Sequence, residues 1–111
     1  MNKIYIVLDN VKFAQNIGPV FRTADAFGVE KIFLCKGNTQ KLNPNHERIL
    51  FKASRGATGW VNWEFRNSSL ELVKELKSQG LHIVCIETGK NAKSIYQAEY
   101  KSPLALVKTI A

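Results

Sequence analysis

Two apolar runs set the terms for the whole chain. Residues 4–8 (I-Y-I-V-L) and 32–35 (I-F-L-C) lack the polar and apolar alternation of a half-wet strand, which suits parallel strands covered on both faces. Parallel neighbours cannot be closed by a tight turn. They need a crossover of a dozen or more residues, usually helical and right-handed. Residues 9–28 have the length for a loop followed by such a helix. A βαβ unit is therefore expected at the amino end, and with it a layered α/β domain.

Inside that crossover, residues 9–15 read as a polar loop at the carboxyl end of the first strand, the edge where open parallel sheets take their ligands. Pro19 directly after Gly18 predicts a helix starting at Pro19, because proline suits the first helical position. Gly28 predicts its end. Val20, Phe21, Ala24 and Phe27 give this helix an apolar face, with Phe21 and Phe27 read as core. Asn16, Gly18 and Arg22 stand at the spacing N-x-G-x-x-x-R. Arg22 is then about one turn in, close to the free N–H groups of a helix start, a combination that suits a phosphate. Two plainer readings stay open: a surface ion pair between Arg22 and Asp25, and a capping or loop role for Asn16.

Further along, Asn43-Pro44 reads as an N-cap with proline at the first helical position. The helix it opens turns Ile49, Leu50 and Ala53 inward and ends near Ser54-Arg55-Gly56, where a hydroxyl and a guanidinium on a tight backbone can touch a sugar or phosphate. His46 has no partner at metal-ligand spacing, so no metal site is expected. Val61, Trp63 and Phe65 alternate with Asn62 and Glu64, as in a strand near a sheet edge. Trp60 and Trp63 could stack on bases, but core packing is the reading taken. Ser68 to Glu71 forms an S-x-x-E capping box before a helix with Leu72, Val73 and Leu76 inward and Gly80 as its stop. Residues 81–86 read as a buried strand and 104–107 as a short last one.

A chain of 111 residues supports one core, so residues 1–111 are taken as a single domain. A hydrophobic content of 45% excludes a disordered chain. No apolar run approaches the ~20 residues of a membrane span, and the amino end has too short an apolar stretch for a signal peptide. A cytoplasmic protein with no membrane partner is expected. Cys35 and Cys85 lie in apolar runs and read as buried, reduced thiols. Sixteen Lys and Arg against nine Asp and Glu give a net charge of +7, which favours a polyanionic partner, nucleic acid above all. Lys12 adds to that charge in the first loop, whereas Lys74, Lys77, Lys90 and Lys93 serve equally well as solvated surface.

The run N-I-G-P-V-F-R-T-A-D-A-F-G at residues 16–28 resembles the first signature motif of the SpoU-type, TrmH-like RNA methyltransferases of the SPOUT superfamily. The segments V-E-K-I-F-L-C (29–35), K-A-S-R-G-A (52–57) and L-A-L-V (104–107) are similar to members of that family as well. The resemblance implies a Rossmann-like, mostly parallel sheet of about five strands with helices on both faces. It also implies methyl transfer from S-adenosylmethionine to a ribose 2′-hydroxyl of tRNA or rRNA. Carried over residue by residue, it makes Arg22 and Asn16 the catalytic candidates and Lys12, Gly18, Ser54 and Arg55 the RNA-binding ones. Arg55 stands where relatives usually carry a small or apolar residue. The loop at Glu87, Thr88 and Gly89 would contribute backbone to the adenosine site.

After the last strand, relatives continue with a Gly-Asn-Glu type segment and later a Ser-Leu-Asn type segment, which form a trefoil knot around the methyl donor. Here Val107 is followed by Lys108-Thr109-Ile110-Ala111. The expectation is a SpoU domain lacking its carboxyl-terminal knot and inactive alone, from relatives that are homodimers. The second reading, of a different class, is a non-catalytic basic RNA-binding module on the same fold. A receiver-like domain is disfavoured because the acidic phosphoacceptor cluster is absent.

Overall fold

A computed structural model of the chain describes residues 3–11, 14–36, 44–86 and 101–109. Strand β1 (Ile4–Val11) leads through helix α1 (Ala14–Phe27) to β2 (Lys31–Lys36). Helix α2 (Pro44–Ala53) and a single 3-10 turn (Ala57–Gly59) precede β3 (Trp63–Arg66). Helix α3 (Ser69–Ser78), β4 (His82–Ile86) and β5 (Leu104–Thr109) complete the order. The five strands form one sheet in the order β3-β2-β1-β5-β4, and each neighbouring pair is parallel. The winding reverses between β1 and β5, and the crevice beyond their carboxyl ends is where such sheets take ligands.

Alternate residues of the central strands feed two cores. Leu8, Ile32 and Leu34 pack with Ile17, Phe21, Ala24 and Leu50 under α1 and α2. Val7, Phe33, Cys35 and Ala105 pack with Leu72 and Leu76 under α3. Both faces are therefore covered, as the unalternating runs require. The capping box forms as read: Ser68 Oγ accepts a hydrogen bond from the Glu71 N–H at 3.2 Å.

Helix α1 differs from its expected form. It starts at Ala14, so Pro19 lies inside it instead of opening it. An interior proline forgoes one backbone bond and crowds the preceding turn, at a cost of roughly 3 kcal/mol. The extension buries Ile17 completely, in line with Phe21 and Ala24 at helical spacing. Burying such a side chain contributes roughly 1.5–3 kcal/mol, comparable with that cost, so the local start signal alone does not decide where the helix begins. Phe27, expected in the core, is 79% exposed at the far end of the helix. Strand β4 also departs from the fully buried reading, because it is an edge strand: its last two residues, Cys85 and Ile86, are exposed. Of the two thiols only Cys35 is buried.

Candidate nucleic-acid interface

The carboxyl rim of the sheet begins with an irregularity in β1. Its register with β2 shifts between Leu8 and Val11, and Asn10 inside the shift has φ 61°. Asparagine is one of the few residues other than glycine that takes this left-handed conformation readily, and such a bulge bends the strand where it leaves the sheet. Alongside, Leu8 pairs with Lys108 and Asp9 with Thr109 of β5. Lys108, exposed at the centre of this rim, is a cation that the sequence reading did not single out. Its signal was available only through the strand order, which moves the last strand beside the first.

Helix α1 leaves this rim, and its extended start relocates the N-x-G-x-x-x-R residues. Asn16, Gly18 and Arg22 lie within one helix. Arg22 is its ninth residue, roughly 12 Å of helical rise from Ala14. It is therefore not one turn from free N–H groups, and the helix-start contribution to anion binding at Arg22 falls away. What remains is an exposed guanidinium. Among the described residues it makes no ion pair, so the bridge to Asp25 is absent.

Gly18 is buried, and the structure accounts for it without a ligand. A Cβ at this position would sit 2.5 Å from both the carbonyl carbon and the Cβ of Ala53. The glycine lets α1 and α2 cross in contact, so the expectation that it opens space for RNA is replaced by one of helix packing. Ser54 is likewise corrected. It is 1% exposed; its hydroxyl donates to the Phe51 carbonyl at 3.0 Å and accepts from the Thr58 N–H at 3.4 Å. A hydroxyl so enclosed locks the turn after α2 and does not face RNA.

Arg55 stands differently. The Gly56 N–H bonds to the Phe51 carbonyl at 2.8 Å and the Arg55 N–H to the Lys52 carbonyl at 3.1 Å. This pair of bonds is a Schellman cap, whose left-handed position is normally glycine. Here Arg55 holds it, with φ 54°, followed by Gly56 at φ 84°. The guanidinium is exposed, like the ammonium of Lys52. The α1–α2 crossing thus sets Arg22 one turn beyond the contact on α1 and Arg55 two residues beyond it past α2. Lys12, Glu87, Thr88 and Gly89 lie outside the described residues, as does the side chain of Asn16.

An apolar groove of about 490 Å³ runs between α1 and the sheet, lined by residues that include Ile4, Ile6, Val20, Phe27, Val29 and Leu106. It carries no charged group, and Thr23 is the one polar side chain along it, fewer polar partners than an adenosine and an amino-acid moiety demand. Among the described residues no cluster of His, Cys, Asp or Glu could hold a metal ion, and no helix is long and apolar enough to cross a membrane.

Residues 3–107 match the model of the SpoU rRNA Methylase family. The chain belongs to that family. Among SpoU-related sequences it is 24% identical over 102 residues to the tRNA (guanosine(18)-2'-O)-methyltransferase of Escherichia coli K12, covering 92% of this chain and 42% of that protein. It is 31% identical over 101 residues to the 23S rRNA (guanosine-2'-O-)-methyltransferase RlmB of Shewanella oneidensis, covering 91% and 39%. The A. aeolicus TrmH/SpoU tRNA modifying enzyme superposes with a TM-score of 0.78 at 26% identity, over all of this chain and 54% of that one. An AdoMet-bound rRNA methyltransferase from Sinorhizobium meliloti shares the fold, with a TM-score of 0.77 at 20% identity over 96% of this chain and 40% of its own. The chain spans about two fifths of the length of the curated relatives it matches.

Proposed function

We propose that this SpoU chain carries the RNA-facing part of a ribose 2′-O-methyltransferase acting on tRNA or rRNA. The observation that carries the reading is Arg22: an exposed guanidinium with no ion pair among the described residues, at the last position of the N-x-G-x-x-x-R motif. Arginine stays protonated and presents a fork of donors that fits a phosphate, so its role is to fix the backbone next to the target ribose and to stabilise negative charge developing there. Asn16 would orient Arg22 or the substrate, and Lys12 and Arg55 would add phosphate contacts. Bound S-adenosylmethionine would supply the methyl group. Its expected partners in this chain are Glu87, Thr88 and Gly89, next in sequence after β4. A cytoplasmic location and a homodimer belong to the same proposal, and the apolar groove beside α1 gives a second copy something to cover.

The test is affinity for a tRNA or rRNA transcript as a function of salt. Wild type should bind, and Arg22→Ala should weaken binding several-fold and reduce the slope of log affinity against log salt by about one. Equal affinity and slope in the two proteins would remove Arg22 from the RNA contact. The second reading, a basic binding module on the same fold, draws on the net charge of +7. Calorimetry with S-adenosylmethionine and S-adenosylhomocysteine separates the two: micromolar binding supports the transferase, and silence beside salt-sensitive RNA binding supports the module.

A further inference from the structure

The most exposed aromatic surface away from the groove lies just past α2, and the RNA role assigned to Arg22 leaves it unused. Phe51 is 52% exposed and Trp60 63% exposed, against the core reading that the sequence suggested for Trp60. Both rings turn toward the same point. A Cβ added to Gly56 would meet the Phe51 ring edge at 3.4 Å and the Trp60 ring edge at 3.5 Å. The glycine at φ 84° therefore forms the floor between two exposed rings. Lys52 and Arg55 flank them, both exposed and without an ion pair among the described residues. Arg48 adds a third cation on α2, already partnered, and Glu47 is the one carboxylate in residues 44–62. Exposed aromatic faces interleaved with cations are how proteins hold single-stranded nucleic acid: bases stack on rings while phosphates meet the charges.

The backbone adds a second observation. Glycine at the left-handed position of the Schellman cap would relieve the strain that Arg55 bears there. A cation nevertheless holds the position directly before Gly56, the residue that lies between both rings.

From these placements we infer that Phe51 and Trp60, with Lys52 and Arg55, form a stacking platform for unpaired nucleotides of an RNA substrate. The inference rests on the RNA reading above and adds the class of RNA held here: single-stranded or splayed-out, not duplex.

The experiment is fluorescence anisotropy of the chain with a short labelled oligouridylate, with an RNA duplex of equal length and with a folded tRNA transcript. Circular dichroism confirms that each variant folds. The expected result is preference for the oligouridylate over the duplex. Phe51→Ala and Trp60→Ala should each weaken it about ten-fold with the salt slope unchanged, as for lost stacking. Arg55→Gly should raise the melting temperature yet weaken binding and reduce the slope by about one. Oligouridylate affinity unchanged in Trp60→Ala and Arg55→Gly would overturn the platform. If Arg22→Ala still weakened binding, the RNA reading would survive that loss. Binding of the tRNA but not of the oligouridylate would likewise overturn the platform alone, whereas silence toward both would remove both proposals. Self-association abolished by Trp60→Ala, with RNA affinity intact, would assign the rings to a protein contact and overturn the platform as well.

Discussion

The strand charges under α3 and the cations around the α1–α2 crossing are used in opposite ways. On the α3 side, Lys31 Nζ meets Glu64 Oε1 at 2.6 Å, Arg66 also bonds to Glu64, and Arg66 Nη1 reaches Glu75 Oε2 at 2.8 Å. The two cations also lie over the Phe33 ring, at 5.2 and 5.6 Å from its centroid. Those strand charges are consumed within the fold, while Lys74 and Lys77 on α3 itself stay exposed and form no ion pair among the described residues. On the α1–α2 side, Arg22, Lys52 and Arg55 are exposed and form no ion pair among the described residues. Cations left without internal partners are ones that a polyanion can engage, so the pairing of each charge says more about binding than net charge alone.

The largest effect should come from Gly18→Ala. The added methyl meets backbone atoms of Ala53 that cannot swing away, so α1 and α2 must separate, at a cost of about 3 kcal/mol. Urea unfolding measures it. A loss below about 0.5 kcal/mol would show that the helix crossing tolerates a side chain and that the binding face is looser than the paired one.

Next comes Cys35, buried on the α3 side. Burial, then the negative charge of Asp9, pushes its thiol from the ordinary 9.0 up to about 12, with Arg66 opposing. The folded state therefore keeps the proton that the unfolded chain loses. Stability is intact below pH 9.0 and declines as pH rises from there toward 12. Cys35→Ala should flatten this decline in urea titrations across that window, and identical slopes would contradict it. In native protein, thiol reagents should modify Cys85 first, since it is the exposed one.

A paired substitution tests the contrast between the faces directly. Arg22→Ala should leave stability within about 0.5 kcal/mol of wild type while weakening RNA binding. Arg66→Ala should do the reverse, losing about 1 kcal/mol from an ion-pair network with RNA affinity intact. Thermal melts and salt-dependent binding on both variants decide it, and equal losses in RNA affinity would erase the distinction.

The sequence made the layered architecture legible because unalternating runs admit few alternatives, and it made α2 and α3 legible because Pro44 and the Ser68–Glu71 box carry local start chemistry. It misplaced the start of α1 because the signal there was a proline whose local preference is offset by the burial of Ile17. The motif spacing located Arg22 but could not tell that Gly18 serves a helix crossing or that Ser54 is sealed beneath a turn, since both depend on where α2 lies in space. Trp60 and Lys108 escaped for the same reason. One is exposed by the turn that Arg55 and Gly56 make, and the other reaches the rim because the last strand inserts beside the first.

The smallest expected effect concerns Glu64. Hydrogen bonds from Lys31 first, then from Arg66, hold its carboxyl below the ordinary 4.5. The folded state binds this proton less readily than the unfolded chain, so the contribution is fully present above pH 4.5 and is lost as pH falls through the lowered value. Both partners are partly solvated, which limits the effect to about 0.5–1 kcal/mol. Glu64→Gln should remove that part of the acid dependence, leave Lys31 and Arg66 without their shared carboxylate, and leave RNA affinity unchanged. Tighter RNA binding by Glu64→Gln would mean that freed cations on the α3 side can also reach the polyanion, and the division of labour between the two faces would then reflect pairing alone and not position.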